Sequence, residues 1–509
     1  MQSILSNPRL LYITALGLVV LSWPSYSDFI DKTVDLIPGL VGNEPAKAAW
    51  GDYNNDGYPD LLAGSTLYRN NKGVSFTSIS TDFGPGIWGD FDNDGYLDLY
   101  LYTQKVIKRN VDGSDLFETV TVPKESIPTR AAAWVDVNND GWLDLYVAGY
   151  ETLTPEICYA DYILINEMGE TFNYIIQPNY IDINSCRRTR GVAAADFDRD
   201  GDQDIYLSNY RLQPNSLWEN LSANSGQWLE SAAKYNVDDG TDPATDSQWK
   251  VSGAHTIGSS WGDFDNDGWL DLIAGNFAHS YNPKALIYKN NQPGKIFTKK
   301  LRLTGAYWQE SYANPALADF DNDGLIDFFF TTVYSYAGDE ARLYRNIGGF
   351  NFTDVTSSNG LNNVKTTYQV AWADFDNDGD LDLVSGGKFF VNNETSQNHW
   401  IKIHLKGDDN NINQHAIGAQ VRVFSGDSIL TRQVEGGTSE GNQNDLNLHF
   451  GLGGNASTVD INVLWPDGTQ DNFSNIGIDQ QINLPEGETF PASSSNVVYS
   501  LVPILFIIL

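Results

Sequence analysis

Two cysteines in a chain of 509 residues cannot build a cysteine zinc cluster. The six histidines nowhere form the H-E-x-x-H of a zinc protease. Basic residues are scarce: 31 lysines and arginines face 66 acidic residues, leaving a net charge of −35. A field of that sign repels phosphate backbones and anionic lipid, so nucleic acid is excluded as a partner. Long apolar runs are scarce as well. Residues 10–21 are apolar over about 12 positions, where a spanning helix needs about 20. Aromatic residues, by contrast, make up 13% of the chain. That content points to a β-rich, well-buried fold and away from an acidic disordered chain.

Much of the acid falls in one repeated pattern. Residues 90–98 read D-F-D-N-D-G-Y-L-D, and the chain holds seven such stretches. Positions 1, 3, 5 and 9 are Asp52, Asn54, Asp56 and Asp60 in the first, and Asp90, Asp92, Asp94 and Asp98 in the second. The third has Asp136, Asn138, Asp140 and Asp144, and the fourth Asp196, Asp198, Asp200 and Asp204. The fifth has Asp263, Asp265, Asp267 and Asp271, and the sixth Asp319, Asp321, Asp323 and Asp327. Asp374, Asp376, Asp378 and Asp382 make the seventh. A calcium ion takes six to eight oxygens at about 2.3–2.6 Å, and carboxylates at alternate positions of a tight turn can converge on it. Glycine at position 6 (Gly57 in the first copy) permits the sharp turn. The carbonyl at position 7 is the natural backbone ligand: Tyr58, Tyr96, Trp142, Asp202, Trp269, Leu325 and Asp380. An EF-hand would place Glu at position 12, where Ala63 and Leu101 stand in the first two copies, so that loop is rejected. The acid at position 9 lies inside an alternating apolar run, so each loop joins two strands. Up to seven Ca²⁺ are expected, which would bring the net charge from −35 to about −21. Asn54 and Asn138 lower the charge of loops one and three, which should bind most weakly.

Residues 1–27 read as a secretory signal, with Arg9, an apolar stretch and a small-residue cleavage site at Ser25-Tyr26-Ser27. From 28 to 398 each loop is entered by a small-apolar strand and left by an apolar one. A strand of the type L-Y-R-N follows (residues 67–70, 343–346), and then one of the type F-T-D-V-T (352–356). Four strands per unit, repeated seven times, spell an all-β fold, a seven-bladed β-propeller. The seventh unit lacks the last strand, and residues 29–33 (F-I-D-K-T) supply its match, so the N-terminal strand is expected to close the last blade. Segments 151–161, 210–215 and 234–251 read as loops. Residues 399–488 change pattern and are expected to form a separate small all-β domain, followed by a hydrophobic tail at 489–509. That tail reads either as a cleavable anchoring signal or as an apolar segment packed on the protein. Cys158 and Cys186 read as a disulfide in an exported chain, the alternative being two unlinked thiols.

The loops and their flanks resemble FG-GAP/VCBS repeats, as in the propeller of integrin α chains. Residues 399–407 (H-W-I-K-I-H-L-K-G), 416–423 (A-I-G-A-Q-V-R-V), 448–453 (L-H-F-G-L-G) and 463–468 (V-L-W-P-D-G) resemble an ASPIC/UnbV domain. The combination is similar to the cartilage acidic protein family. That resemblance implies a secreted, calcium-loaded scaffold for extracellular or surface interactions. It carries over no function of the EGF-like module of vertebrate members, which two cysteines cannot build.

The leading expectation is therefore a non-enzymatic binding or adhesion protein, secreted or at the cell surface. Its ligand would be an extracellular protein or a glycan, and any membrane contact would run through the C-terminal tail. The alternative is a polysaccharide-active enzyme or its substrate-binding subunit, suggested by Trp249, Tyr281 and Trp308 in the connecting loops. One G-x-S-x-G at 258–262 offers Ser260 as a nucleophile, but the segment aligns with the strand that enters a calcium loop rather than a helix.

Overall fold

The computed structural model describes residues 28–40, 46–123, 127–175, 186–222, 227–238, 255–277, 286–294, 296–302, 312–333, 339–362, 364–393, 396–408 and 411–488. The expected signal (1–27), the tail from 489 onwards, Trp249, Tyr281 and Trp308 lie outside them.

Seven antiparallel sheets of four strands follow one another along the chain, which is an all-β propeller of seven blades. Blade one runs Ala48–Gly51, Asp60–Ala63, Thr66–Asn70 and Phe76–Ser80, in that order from the axis outwards. Its innermost strand is small and fully buried because the blades converge at the axis. Gly51 shows why: a Cβ there would stand 2.8 Å from the Trp88 ring of the next blade. Tryptophans of the innermost strands also tie neighbours together, Trp88 Nε1 donating to the Ala49 carbonyl at 3.2 Å and Trp372 Nε1 to Ala316 at 3.3 Å. In the last blade the outer strand is Ile30–Asp31, with Ile30 opposite Val391 and Asp31 opposite Phe390. Phe29 packs beside it on Phe320 and Trp372.

Segment 151–161 is not simply a loop. Glu151–Leu153 and Glu156–Cys158 pair as a small hairpin, tied at its end by a disulfide between Cys158 and Cys186. Three-residue strands are too short to show a period in sequence. Since strands alternate in direction, this hairpin and the 210–215 connection, both following second strands, lie at the propeller end opposite the Asp-rich loops.

The C-terminal domain has one sheet of three strands and one of four. In the first, His399–Lys406 is flanked by antiparallel Leu448–Gly453 and parallel Gln480–Pro485. The second orders Ser428–Gln433, Gln420–Ser425, Thr458–Leu464 and Gln470–Gly477. Its core residues, among them Ile401, Val423, Phe450 and Ile461, are continuous with Trp88 and Trp134 of the propeller. The two parts are therefore not separate. Residues 436–445 leave the small domain and plug the central channel. Gly436 accepts from Trp134 N, Ser439 from Val192 N and Gln443 from Trp50 N, while Asp445 N donates to Trp372 O and Ser439 N to Ser259 O. The Gln443 side chain pairs with both backbone groups of Trp88, and Glu440 N reaches Asn314 of blade six. The innermost strands are sheet edges with unpaired N–H and C=O groups, and this Gly- and Asn-rich segment hydrogen-bonds to backbone of that edge in all seven blades, reaching blade six through Ser439 Oγ on Pro315 O at 2.9 Å.

Candidate metal centres

Each Asp-rich loop is wound by its own carboxylates. At position 1, Asp52 accepts Asp56 N at 3.0 Å and Gly57 N at 2.7 Å, and Asp90, Asp136, Asp196 and Asp263 repeat the pair. Asp319 and Asp374 keep one bond each, to Gly324 N and Asp378 N. At position 5 the acceptor takes the N–H of position 7, as Asp94 does from Tyr96 at 2.9 Å and Asp323 from Leu325 at 3.0 Å. Tyr58, Trp142, Asp202, Trp269 and Asp380 donate likewise to Asp56, Asp140, Asp200, Asp267 and Asp378. Position 9 fastens the loop to the blade. Asp98 accepts Phe91 N on one oxygen and Asn110 N on the other, and Asp60, Asp144, Asp204, Asp271, Asp327 and Asp382 do the same. This position therefore carries a framework duty that the spacing alone did not reveal.

Carboxylate oxygens converge in five of the loops: Asp90, Asp92 and Asp94; Asp196, Asp198 and Asp204; Asp263, Asp265 and Asp271; Asp319, Asp321 and Asp327; Asp374, Asp376 and Asp382. In each group the ligand atoms lie within 4.8 Å of one another. Loops one and three, with Asn54 and Asn138, do not form such a group among the described residues. The Oδ1 atoms of Asn138, Asp265 and Asp376 are buried with no hydrogen-bond partner among the described residues, as is that of Asp319 at position 1. Hard carboxylate and carbonyl oxygens, some left unsatisfied, fit a hard divalent cation.

The electrostatics require compensation. Burial pushes Asp52, Asp136, Asp196, Asp263 and Asp376 up to about 7 and Asp90 up to about 8. Burial and then the neighbouring carboxylates hold Asp98, Asp319 and Asp327 well above the usual carboxylate range. Side-chain cations answer part of this. Lys289 pairs with Asp265 and Asp267, Arg345 reaches Asp321 at 2.5 Å and Asp323 at 2.8 Å, and Arg109 reaches Asp92 at 2.6 Å. The C-terminal domain sits over the same loops, with Lys402 Nζ 2.8 Å from Asn377 Oδ1 and 3.5 Å from Asp374.

Three residue sets escaped the sequence reading. The Asn closing each third strand ties its blade to the previous loop, Asn110 Nδ2 donating to Tyr53 O at 2.7 Å and Asn70 to Phe375 O at 2.8 Å. The L-Y-R-N pattern marks these asparagines but not their partners. Asn at position 4 and the C-terminal Arg422 are the other two. Ser260 is buried, and its Oγ lies 2.9 Å from Pro315 O and 3.1 Å from Thr438 Oγ1, so it braces the plug and does not open onto a cleft.

Family models for FG-GAP-like repeats match residues 52–101, 136–207, 263–330 and 319–385, and one for ASPIC and UnbV matches residues 408–490. The chain carries FG-GAP-like repeats and an ASPIC and UnbV domain. Among curated proteins, Cartilage acidic protein 1 of Homo sapiens is 26% identical over 292 residues, covering 55% of this chain and 41% of the relative. The Xenopus tropicalis protein of that name is 25% identical over 307 residues, with coverage of 57% and 43%. The FG-GAP chain is thus matched to less than half the length of these relatives. Among solved structures, the Dos1 propeller is similar at TM-score 0.38 and 9% identity, covering 70% of this chain and 85% of its own. The extracellular domain of a one component system from B. thetaiotaomicron gives 0.41 and 8%, with coverage of 91% and 59%.

Proposed function

We propose that the FG-GAP loops hold calcium and that the protein is a secreted or cell-surface binding scaffold without catalytic activity. The observation that carries this reading is the convergence of three aspartate oxygens, at least one of them on a buried residue, in each of five loops built to one plan. Calcium suits it best among hard cations, because carboxylates on a flexible turn plus one carbonyl supply irregular sites that magnesium dehydrates too reluctantly to enter. The Cys158–Cys186 disulfide supports an oxidising, extracellular setting. Among the described residues no helix is long and apolar enough to cross a membrane.

With the Asp-rich face covered by the ASPIC and UnbV domain, the opposite face is where an extracellular protein or glycan would bind. There the disulfide-tied hairpin presents Leu153 and Ile157, both exposed, on a base fixed by Arg188 and Arg211 pairing with Glu151 and Glu156. The reading is tested by elemental analysis of protein dialysed against buffered calcium. At least five calcium ions per chain are expected, one for each convergent cluster. Less than one per chain overturns the reading.

A further inference from the structure

The seven loops are joined to one another. In six of them position 4 is Asn with positive φ, between 51° and 60°. Its side-chain amide donates to the carbonyl of the position-6 glycine in the next loop. Asn55 reaches Gly95, Asn93 reaches Gly141 and Asn139 reaches Gly201, at 2.8–2.9 Å. Asn266 reaches Gly324, Asn322 reaches Gly379, and Asn377 crosses the seam to Gly57, at 2.9–3.0 Å. Only the junction from loop four to loop five lacks this link. Loop four carries Arg199 at position 4, with the same backbone (φ 59°), and its guanidinium turns up to Gln420 of the C-terminal domain. The orphaned Gly268 carbonyl is instead met by Arg422 of that domain.

The same domain grips the ring elsewhere. Lys402 Nζ, His449 Nε2 and Gln414 N contact the Oδ1 atoms of Asn377, Asn322 and Asn93 at 2.8, 2.7 and 3.3 Å. These contacts fix each amide so that its N–H₂ faces the neighbouring glycine.

We infer that the seven loops load cations as one coupled ring, and that Arg422 of the C-terminal domain is the positioning residue that closes it. This rests on the cation-binding reading above. The position-6 carbonyl belongs to the peptide that leads into position 7, so holding it anchors the chain immediately before the residue whose carbonyl faces the ion. A loop wound around its ion holds its own position-4 amide still, and so pre-forms the next loop. Coupling of this kind is reciprocal: calcium strengthens docking of the C-terminal domain, and docking strengthens calcium binding.

The test uses the full chain, stripped with EGTA and titrated with CaCl₂ while bound calcium is counted by equilibrium dialysis. Wild type is expected to load cooperatively. Arg422→Met should move at least one ion to roughly tenfold higher free calcium, the weight of one charged hydrogen bond, and flatten the curve. Adding Arg199→Asn to that variant gives the propeller its own donor and should restore the wild-type curve. If Arg422→Met does not fold, recovery of folding in the double variant carries the same meaning. Calcium curves of wild type and Arg422→Met that superimpose overturn the inference alone, as does a double variant that recovers nothing. Absence of calcium binding by wild type overturns the cation reading and this inference with it.

Discussion

At the tip of the plug, the Glu440 carboxylate accepts two hydrogen bonds from Arg190, at 3.0 Å from Nε and 2.7 Å from Nη2. Its other oxygen lies 3.4 Å from Lys47 Nζ, and all three side chains are buried. Tyr150, Tyr210 and Tyr368 face the guanidinium with ring centres 4.9–5.5 Å away. The pair locks the C-terminal domain in the channel at the end away from the Asp-rich loops.

Glu440→Gln leaves two buried cations with no anion. Breaking a buried pair from one side costs about 3–5 kcal/mol, and urea unfolding should show a loss of that order. Limited proteolysis should then cut within residues 436–445, which the channel otherwise shields. A variant as stable as wild type would mean that the tip is solvated and the lock has no weight.

Deleting residues 28–34 removes the outer strand of the last blade and the buried Phe29. Loss of a buried Phe alone costs about 3–5 kcal/mol, and the strand Lys388–Val391 becomes an open edge prone to pairing with other chains. A sharp drop in melting temperature with aggregation is expected in calorimetry. An unmoved melt would show that the ring closes without this strand.

Lys289→Met should tighten calcium binding. Burial works against the Lys289 charge, but hydrogen bonds to Asp265 and Asp267 raise its pKa, so the lysine competes with an ion for those oxygens. Calorimetric titration should show one site improved by about 0.2–1 kcal/mol, the range of part-exposed pairs. Weaker binding in this variant would contradict the competition.

Acidity should act in opposite directions with and without calcium. Burial raises the folded-state pKa of Asp52, Asp136, Asp196 and Asp263 to about 7 and of Asp90 to about 8, above the unfolded value of about 4. Raised carboxylates give stability that is full below the unfolded pKa and is lost as pH rises through the folded one. In EGTA the melting temperature should therefore fall between about pH 7 and 8.5, a window in which unfolded histidines stay largely neutral. This choice matters because burial holds His415 and His449 down at about 3, a shift of opposite sign. In saturating calcium the fall should vanish or reverse, since protons then displace the ion. Identical slopes in the two buffers would remove the link between these aspartates and metal.

Blades and loops are legible in the sequence because their chemistry is local. Asp52, Asp56 and Gly57 stand within six positions of one another, and the same spacing recurs seven times. Even the outer strand at Ile30–Asp31 could be placed, since its absence from the seventh unit and its presence before the first concern one pattern. What was hidden depends on partners distant in sequence. Asn377 stands at a visible position 4, but its acceptor, Gly57, lies 320 residues away. Residues 436–445 are Gly- and Asn-rich and carry no apolar pattern that points to a buried place; only a channel lined by unpaired strand edges makes such a composition a plug. Arg422 looks like one outward residue of an alternating strand, and its partner Gly268 belongs to another domain.

The most direct measurement is a thermal melt of the protein in excess EGTA and again in rising millimolar CaCl₂. A large increase in melting temperature that keeps growing with free calcium is expected, because an ion bound only by the native state stabilises it by mass action. Coincident melts across that range would contradict it, leaving the aspartates as turn-winding residues held by their backbone hydrogen bonds alone.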